Sequence, residues 1–460
     1  MEFGSVVFLL RFLPLFLTGY YLVPGRMKNI ILLLGSLCFY AWGTPLYVVL
    51  MLLVLTSDYC HGLLIEKYQG KRAAGILTGN AIFFDCVILV AFGYMDFGID
   101  LLNSLGGFQL EKVGFPTPIG LTVFMLQTIS YVLEVYRGNV KAQRNYLDYA
   151  VYVTMFPQML GGPIVRYGKM ESLLHERKVD LGQVSRGMKR FCIGLAKKVI
   201  LADGTAQIWQ LIEGYQPTEL SMGTAWFGIL AFGFQLYYSF SGYADMAIGL
   251  ADCLGFEYPE NFKAPLSATS VTDFMHKWNI TLVKWMRVYF YESLAGKSGG
   301  ILRQVFAMLF TWALIGLWYG PDGTFLLWGL WMAFFYILEK LFWKRVQAFL
   351  PKAVNWFFAM LVICFGWVLF ALNGFESVWA YGLSMVGFGD GGFWDRQFFY
   401  MMIEYFPLMF LGVLFALPQI SKMIQLLRES KNILCITVYR FGEKVVPAIL
   451  LLLALLKIAG

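Results

Sequence analysis

The chain has 460 residues, of which 59% are hydrophobic and only 14% are charged. Soluble domains carry about 25% charged residues, so this composition excludes an ordinary soluble globular protein. The net charge of +7 collects in short segments between apolar stretches. That pattern is typical of the cytoplasmic loops of a membrane protein rather than of a nucleic-acid-binding surface. The seven cysteines are scattered without metal-ligand spacing, and we expect no metal site.

Apolar segments long enough to span a membrane follow one another along the chain. A bilayer core requires about 20 apolar residues per helix, and residues 221–244 and 353–375 carry no charge at all. The predicted spans are 5–23, 29–43, 45–64, 75–103, 118–136, 146–162, 188–212, 221–250, 302–318, 324–346, 354–373, 398–418 and 445–458. Because some of these segments are expected to re-enter rather than cross, the sequence predicts an all-α polytopic membrane protein with about eleven transmembrane helices. We expect a single integral-membrane domain over residues 1–460.

The first apolar segment is predicted to stay in the protein as a helix rather than to be a cleaved signal peptide. It begins with Glu2 in place of a basic region, and the bulky residues GYYLV stand where a cleavage site needs small ones. Lys and Arg are concentrated in residues 166–198, and basic loops face the cytoplasm. Alternation of the spans therefore predicts an N-terminus outside the cell and segment 166–198 inside it.

Residues 255–300 are too polar to cross a membrane, yet Trp278, Trp285 and Tyr289 recur within them at helical spacing. This pattern predicts an amphipathic helix at the membrane interface. Such a segment between spans is expected to line a cavity, because irregular backbone at membrane depth must be shielded from lipid. His276 lies three residues before Asn279, which would place both on the same helical face.

A few polar residues interrupt the apolar segments. Asp245 follows a charge-free run, and an ionisable group at that depth either faces a functional cavity or forms a structural hydrogen-bonding hub with Ser241 and Tyr243. Gln158 is expected to shape a broken helix. Arg166 follows the same break and either attracts the phosphates of a donor molecule or anchors the loop on the cytoplasmic side.

Several blocks occur in a characteristic order. They are FPTPIGLTVFMLQTISYVLEVYRG (115–138), MFPQMLGGPIVRY (155–167), GMKRFCIGLAKKVILAD (187–203), SFSGYADMAIGLADCLGFEYPENF (239–262) and GLWYGPDGTFLLWGLW (316–331). Together they resemble the membrane-bound O-acyltransferase family, and within it the bacterial branch that includes alginate O-acetylation and D-alanine transfer membrane proteins. The family motifs cover residues 115–331, with peripheral helices expected over 1–110 and 350–460.

The resemblance implies a ring of helices around a central tunnel in a bacterial cytoplasmic membrane. It also implies a reaction in which an acyl group, expected to be acetyl, passes from a cytoplasmic thioester to a hydroxyl of a cell-surface or exported polysaccharide. The thioester is carried by coenzyme A or an acyl carrier protein and is a substrate, so no bound cofactor is expected. The implied partners are membrane lipid, the acyl donor and an extracytoplasmic esterase-like or transferase protein; no nucleic acid is expected.

The resemblance also implies where the catalytic residues lie. The family pattern Leu-Trp-His-Gly reads LWYG here, so Tyr319, preceded by Trp318, stands at the position of the catalytic His. The second family motif reads DFMHKWNIT, which begins at Asp273 and gives Trp278 and then Asn279. Many bacterial members carry His at the latter position.

The change to Tyr319 matters because imidazole, with a pKa of about 6.5, suits a general base at neutral pH, whereas phenol titrates near pH 10. A phenol still donates a hydrogen bond to a developing oxyanion. His276 either supplies the missing imidazole or is a basic interface residue, and Trp318 either packs or forms a substrate platform. Because no Lys or Arg lies between Arg303 and Lys340 to ionise the phenol, the sequence favours a slow native enzyme that Tyr319→His would accelerate.

Three functions fit these observations. The first is an active O-acyltransferase with an atypical centre, and the second is an impaired family member that serves as an acyl conduit or scaffold for an extracytoplasmic transferase. The third is a transporter without acyl chemistry. A transporter is disfavoured, because the chain shows no inverted repeat and its blocks resemble acyltransferases.

Overall fold

A computed structural model describes residues 1–43, 45–296 and 299–459. Over these residues the chain is helical and contains no β-strand, in agreement with the predicted all-α membrane protein. Positions 297 and 298 of the predicted segment 255–300 lie outside the described residues. The fold divides into two compact units. Unit 1 contains Met1–Phe191 and Asp245–Pro259, and unit 2 contains Cys192–Ala244 and the chain from Glu260 onwards.

Unit 1 is built from the N-terminal helices. They are α1 (Leu13–Leu22), α2 (Lys28–Ala41), α3 (Pro45–Lys67), α4 (Arg72–Leu89), α5 (Met95–Gly106), α6 (Leu121–Tyr136), α7 (Tyr146–Thr154), α8 (Phe156–Met159), α9 (Tyr167–His175) and α10 (Leu181–Ala196). A π-helical turn at Val90–Tyr94 joins α4 to α5, so the two run on without a loop. The last residues of α10 belong to unit 2.

Unit 2 contains the remaining helices. They are α11 (Asp203–Glu213), α12 (Met222–Cys253), α13 (Val271–Lys277), α14 (Ile280–Met286), α15 (Glu292–Ala295), α16 (Ile301–Tyr319), α17 (Gly323–Leu338), α18 (Lys344–Gln347), α19 (Lys352–Ala371), α20 (Phe375–Met385), α21 (Arg396–Ala416), α22 (Pro418–Glu429) and α23 (Ile433–Ala459). The C-terminal part of α12 belongs to unit 1.

Within the described ranges, six helical segments are long and apolar enough to cross a membrane. They are Pro45–Lys67, Arg72–Gly106, Ile301–Tyr319, Gly323–Gln347, Lys352–Ala371 and Arg396–Ala416. Each overlaps a predicted span. Shorter apolar helices at Phe8–Leu22 and Leu121–Tyr136 overlap two further ones. The exact count of eleven transmembrane helices stays a prediction.

The amphipathic helix predicted within residues 255–300 is interrupted, because α13 and α14 are separated at Trp278 and Asn279. Asn279 adopts a left-handed conformation with φ of 43°, which a continuing α-helix does not allow. The aromatic side chains of Trp278, Trp285 and Tyr289 are buried, whereas Lys284 is exposed. The amphipathic pattern therefore directs the aromatic residues into unit 2.

Helices α16 and α17 form an antiparallel pair whose close approach depends on glycine. A Cβ added to Gly316 would lie 2.2 Å from the Phe325 carbonyl oxygen, and one added to Gly329 would lie 2.1 Å from the Trp312 carbonyl oxygen. Such distances are far below van der Waals contact, so only glycine allows the two backbones to meet. This packing fixes the end of α16, where Tyr319 lies.

Candidate active site

Tyr319 is the last residue of α16, at a break between two apolar helices. Gly320 is extended and Pro321 follows, and proline disfavours helical backbone in the residue before it. The residue before α17 is Asp322, whose Oδ1 accepts hydrogen bonds from the Thr324 backbone N–H at 2.8 Å and from the Thr324 hydroxyl at 2.9 Å. Asp322, the only charge in GLWYGPDGTFLLWGLW, is thus an N-cap.

The ring of Tyr319 lies in an aromatic cage formed by Phe240, Trp318, Trp328 and Phe370. Their ring centroids are 5.7, 5.0, 5.3 and 5.2 Å from that of Tyr319. All four contacts are edge-to-face, an arrangement that aromatic quadrupoles favour. The cage holds the phenol in one orientation, while the residue remains partly exposed.

The hydroxyl oxygen of Tyr319 accepts two hydrogen bonds. Trp278 Nε1 and Asn279 Nδ2 each donate to it at 3.1 Å. The indole N–H of Trp278 can only donate, so Trp278 is the donor and the Tyr319 oxygen is the acceptor in the first of these hydrogen bonds.

The direction of the Asn279 amide follows from a chain of hydrogen bonds. Thr281 donates to Asn261 Oδ1 from its backbone N–H at 3.0 Å and from its hydroxyl at 2.9 Å. Asn261 Nδ2 must therefore point the other way, and it donates to Asn279 Oδ1 at 3.1 Å. This arrangement leaves Asn279 Nδ2 as the donor to the phenol. The backbone donors of Thr281 thus settle an assignment that the shape of an amide alone does not.

Glu339 holds the N-terminus of α13, the helix that leads into Trp278 and Asn279. Glu339 accepts hydrogen bonds from the backbone N–H groups of Val271 at 2.7 Å and Thr272 at 2.8 Å, which satisfies and charge-stabilises the N-terminus of α13.

Asn279 has a left-handed backbone conformation, and Asn and His enter this region more readily than other non-glycine residues. The backbone at position 279 thus accommodates Asn, and it would also accommodate His.

The chemical consequence is that the phenol can act as a donor. With two donors directed at its oxygen, its own O–H hydrogen is available for a third group. The described partners of the hydroxyl are Trp278 and Asn279, both uncharged. The geometry matches a hydrogen-bond donor to an oxyanion better than a general base, since neither of these described partners is a cation that would stabilise a phenolate.

His276 is not brought into this arrangement. The helix break between His276 and Asn279 removes the shared helical face that their spacing predicted, and His276 is exposed whereas Asn279 is buried. His276 instead borders a cavity of about 250 Å³ together with Arg287 and Lys340. The same cavity is lined by α16 from Met308 to Ile315, one helical turn before Tyr319.

Comparison with known proteins bears on this site. The profile of the membrane-bound O-acyltransferase family matches residues 139–379. A probable alginate O-acetylase AlgI of Azotobacter vinelandii is 37% identical over 404 residues, covering 85% of this chain and 79% of the relative.

The chain belongs to the membrane-bound O-acyltransferase family.

Two relatives of lower identity have names that specify other polymers. A peptidoglycan O-acetyltransferase of Helicobacter pylori is 28% identical, covering 84% of this chain and 80% of the relative. A teichoic acid D-alanyltransferase of Bacillus subtilis is 23% identical, with 79% and 98% covered. The resemblance found in the sequence is therefore confirmed, and the protein is a membrane-bound O-acyltransferase.

Within this O-acyltransferase, two other predicted residues have defined surroundings. Asp273 is bonded to Lys277 at 2.8 Å and accepts from the backbone N–H of Thr269 at 3.2 Å, so it stabilises α13. Trp318 contributes a cage wall, and its buried Nε1 has no hydrogen-bond partner among the described residues.

Asp245 belongs to unit 1 and forms an ion pair. Arg190 Nε and Nη2 donate to its Oδ1 at 3.0 and 2.8 Å, which favours the structural interpretation of this carboxylate with Arg190 as the partner. The hydroxyl of Ser241 is buried and has no hydrogen-bond partner among the described residues, while Tyr243 is partly exposed. Convergence of Asp245 with Asn279 and Tyr319 on one tunnel stays a prediction.

Gln158 and Arg166, the other predicted residues of unit 1, have separate partners. Gln158 is buried, accepts a hydrogen bond from Gln127 and donates to the Tyr258 hydroxyl at 2.5 Å. Arg166 lies 3.8 Å from Glu134 and is partly exposed. The first therefore joins a buried polar network, whereas the second is available to solvent.

Sequence reasoning missed several contributors to the site. Asn261 is in the quoted family block, but nothing in its local pattern indicates that it orients Asn279. Glu339 ends an apolar helix, where a carboxylate is expected to be solvated, yet it is buried. Phe240 and Phe370 look like ordinary apolar helix residues. For Asn261 and Glu339, the one signal in the sequence was a polar group within or beside an apolar segment. Phe240 and Phe370 carried no such signal.

Proposed function

We propose that this O-acyltransferase moves an acetyl group from a cytoplasmic thioester to a hydroxyl of a cell-surface or exported polysaccharide, with the Tyr319 hydroxyl donating a hydrogen bond to the acyl carbonyl oxygen. The acceptor class is supported by the relatives, whose names specify alginate, peptidoglycan and teichoic acid. All three are polymers outside the cytoplasmic membrane.

The observation that carries the role of Tyr319 is its pair of incoming hydrogen bonds. Trp278 and Asn279 both donate to the phenol oxygen, which polarises the O–H bond and leaves its hydrogen for a substrate. Attack on a thioester places negative charge on the carbonyl oxygen, and a donor that is already oriented stabilises this charge without reorganising.

The proposed reaction is balanced by the substrates alone. The acceptor hydroxyl oxygen bonds to the acyl carbon, the carbon–sulfur bond breaks, and the hydroxyl proton is transferred to the departing thiolate sulfur. Tyr319 keeps its proton throughout. Since neither described partner of the phenol is a base, proton removal from the acceptor is not assisted there. We therefore expect a rate about 10²–10⁴ below that of an enzyme with a positioned base.

The cavity beside α16 supports a binding site for the donor. Arg287, Lys340 and His276 border it together, and Arg and Lys bind the phosphates that coenzyme A and phosphopantetheine carry. Its volume of about 250 Å³ is smaller than a drug-sized ligand site, so the cavity would hold the phosphate-bearing arm of the acyl donor rather than the whole donor molecule. The proposed partner on the polymer side is an extracytoplasmic esterase-like or transferase protein.

The test is acylation of polysaccharide in cells lacking the native gene. Complementation with the native chain should restore alkali-labile acetate on a surface or exported polymer, and complementation with an empty vector should not. Equal acylation by native, Tyr319→Phe and Tyr319→His proteins would contradict the catalytic role and indicate a scaffold or acyl conduit. Absence of polymer acylation in every strain would contradict the assigned acceptor class.

A further inference from the structure

Unit 1 contains two carboxyl groups in the interior of its membrane-spanning helices. Asp58 lies near the middle of α3 and Asp85 near the middle of the continuous apolar segment Arg72–Gly106. Their exposed fractions are 0% and 1%. Acidic residues at such depth are costly and mark functional positions in membrane proteins.

The two residues face each other because of their places on the helix surfaces. Asp58 continues a buried stripe of α3 that includes Val54 and Gly62, and Asp85 continues one of α4 that includes Ala81. Helices α3 and α4 pack on each other, which directs both buried carboxyl groups into the same part of the interior. The hydroxyl of Thr128 on α6 adds a donor to Asp85 Oδ2 at 3.2 Å.

Several oxygens of this cluster have no partner. Among the described residues, both carboxyl oxygens of Asp58, the Oδ1 of Asp85 and the hydroxyl of Tyr149 lack a hydrogen bond. Tyr149 is on α7, which packs against α3 and α6, and its side chain is fully buried. It is an unpartnered polar group independent of the acidic pair.

Charge balance decides what the cluster can hold. Neighbouring carboxylates repel, and in an apolar interior neither is hydrated. Among the described residues, no Lys, Arg or His hydrogen bonds to or forms an ion pair with Asp58 or Asp85. The hydroxyl of Tyr131 on α6 accepts a hydrogen bond from the Gln143 backbone N–H instead. A positive charge must therefore come from outside the side chains.

We propose that Asp58 and Asp85 form a proton-binding site inside the membrane, in which at least one proton is held between the carboxyl groups at neutral pH. A proton converts one of two acceptors into a donor, so it satisfies the pair without a change in the helices. The aspartic-protease pair illustrates the same sharing between adjacent carboxyls.

The test uses dicyclohexylcarbodiimide, a membrane-permeant reagent, on the full-length protein in native membranes. A protonated carboxyl adds across one C=N bond of this reagent, with its proton going to nitrogen and its oxygen to carbon. Peptide mass spectrometry should find the adduct on Asp58 or Asp85 at neutral pH and show that it declines as the pH rises. Asp245, which is paired with Arg190, is the internal control and should stay unmodified.

The substitution Asp58→Asn should abolish the adduct at position 58. Infrared spectroscopy of the same membranes provides a readout that does not depend on reagent access. The native protein should show a protonated carboxylic C=O band that shifts in D₂O and is absent from the Asp58→Asn/Asp85→Asn variant. Both Asn side chains keep the volume of Asp and can hydrogen bond to each other, so this variant is expected to fold.

Two results would overturn the proposal. One is an absent infrared band together with unmodified Asp58 and Asp85 at every pH. The other is suppression of the labelling by Na⁺ or Li⁺ at constant pH, which would make the pair a metal-cation site. Neither measurement depends on acyl transfer, so failure here leaves the proposed function standing.

Discussion

Replacing Tyr319 by Phe removes one hydroxyl and leaves the ring in its cage, so it isolates the proposed hydrogen bond to the acyl oxygen. Phe retains the edge-to-face contacts with Phe240, Trp318, Trp328 and Phe370. Loss of one oxyanion donor costs about 10²–10³ in kcat, or about 2.7–4 kcal/mol of transition-state stabilisation. We expect polysaccharide acylation to fall by that factor.

The same substitution also affects stability, which the assay must separate from catalysis. Trp278 Nε1 and Asn279 Nδ2 lose their acceptor, and each unsatisfied buried donor costs about 1–3 kcal/mol. This is a substantial part of a typical folding free energy of about 5–15 kcal/mol. Expression level and thermal unfolding in detergent are therefore measured beside activity.

A matched control is available in the same unit. Tyr381 is buried and donates its hydroxyl to the Ala225 carbonyl at 2.8 Å, so Tyr381→Phe removes a structural hydrogen bond away from the cage. It should lose about 0.5–1.5 kcal/mol of stability and keep native acylation per folded molecule.

Tyr319→His separates the two roles of the position. If the site lacks only a base, His should raise acylation above native by about 10². If the phenol is an oxyanion donor, His should stay below native, because its ring nitrogen does not reach as far as the phenol oxygen. Native-like acylation by a folded Tyr319→Phe protein, or a gain from His, would refute the donor mechanism.

Further predictions follow from neighbouring contacts. Asn279→Asp replaces an amide donor by an acceptor that captures the phenol hydrogen, so acylation should fall by about 10² or more. In the double variant with Tyr319→Phe, this substitution should add little further loss. Fully additive losses would show that the two residues act independently. Glu339→Gln weakens the N-terminal cap of α13, and thermal unfolding should reveal a loss of about 0.5–2 kcal/mol, whereas an unchanged transition would contradict the capping role. Asp180→Cys, in the predicted cytoplasmic segment, should react with an impermeant maleimide in broken cells but not in intact ones; labelling of intact cells would reverse the topology.

The sequence by itself determined the class of the protein and indicated Tyr319 as a candidate site residue. Composition alone places the chain in a membrane, because transfer of apolar surface into lipid depends on which residues are present rather than on how they pack. The ordered blocks established the family, and the LWYG and DFMHKWNIT motifs indicated Tyr319 and Asn279 as a pair. The structure joins these two residues by a hydrogen bond across 40 positions.

Tertiary structure alone decided what surrounds that pair. Spacing placed His276 on the face of Asn279, but the left-handed backbone at Asn279 ends the helix, and a helical-periodicity argument does not anticipate such a break. Asn261 and Glu339 act through contacts with segments that are distant in sequence. Local patterns specify which face of a helix is buried, but they do not specify which other helix covers it, because that choice depends on the packing of whole surfaces. For the same reason, only the packing of α3 against α4 shows that Asp58 and Asp85 face each other.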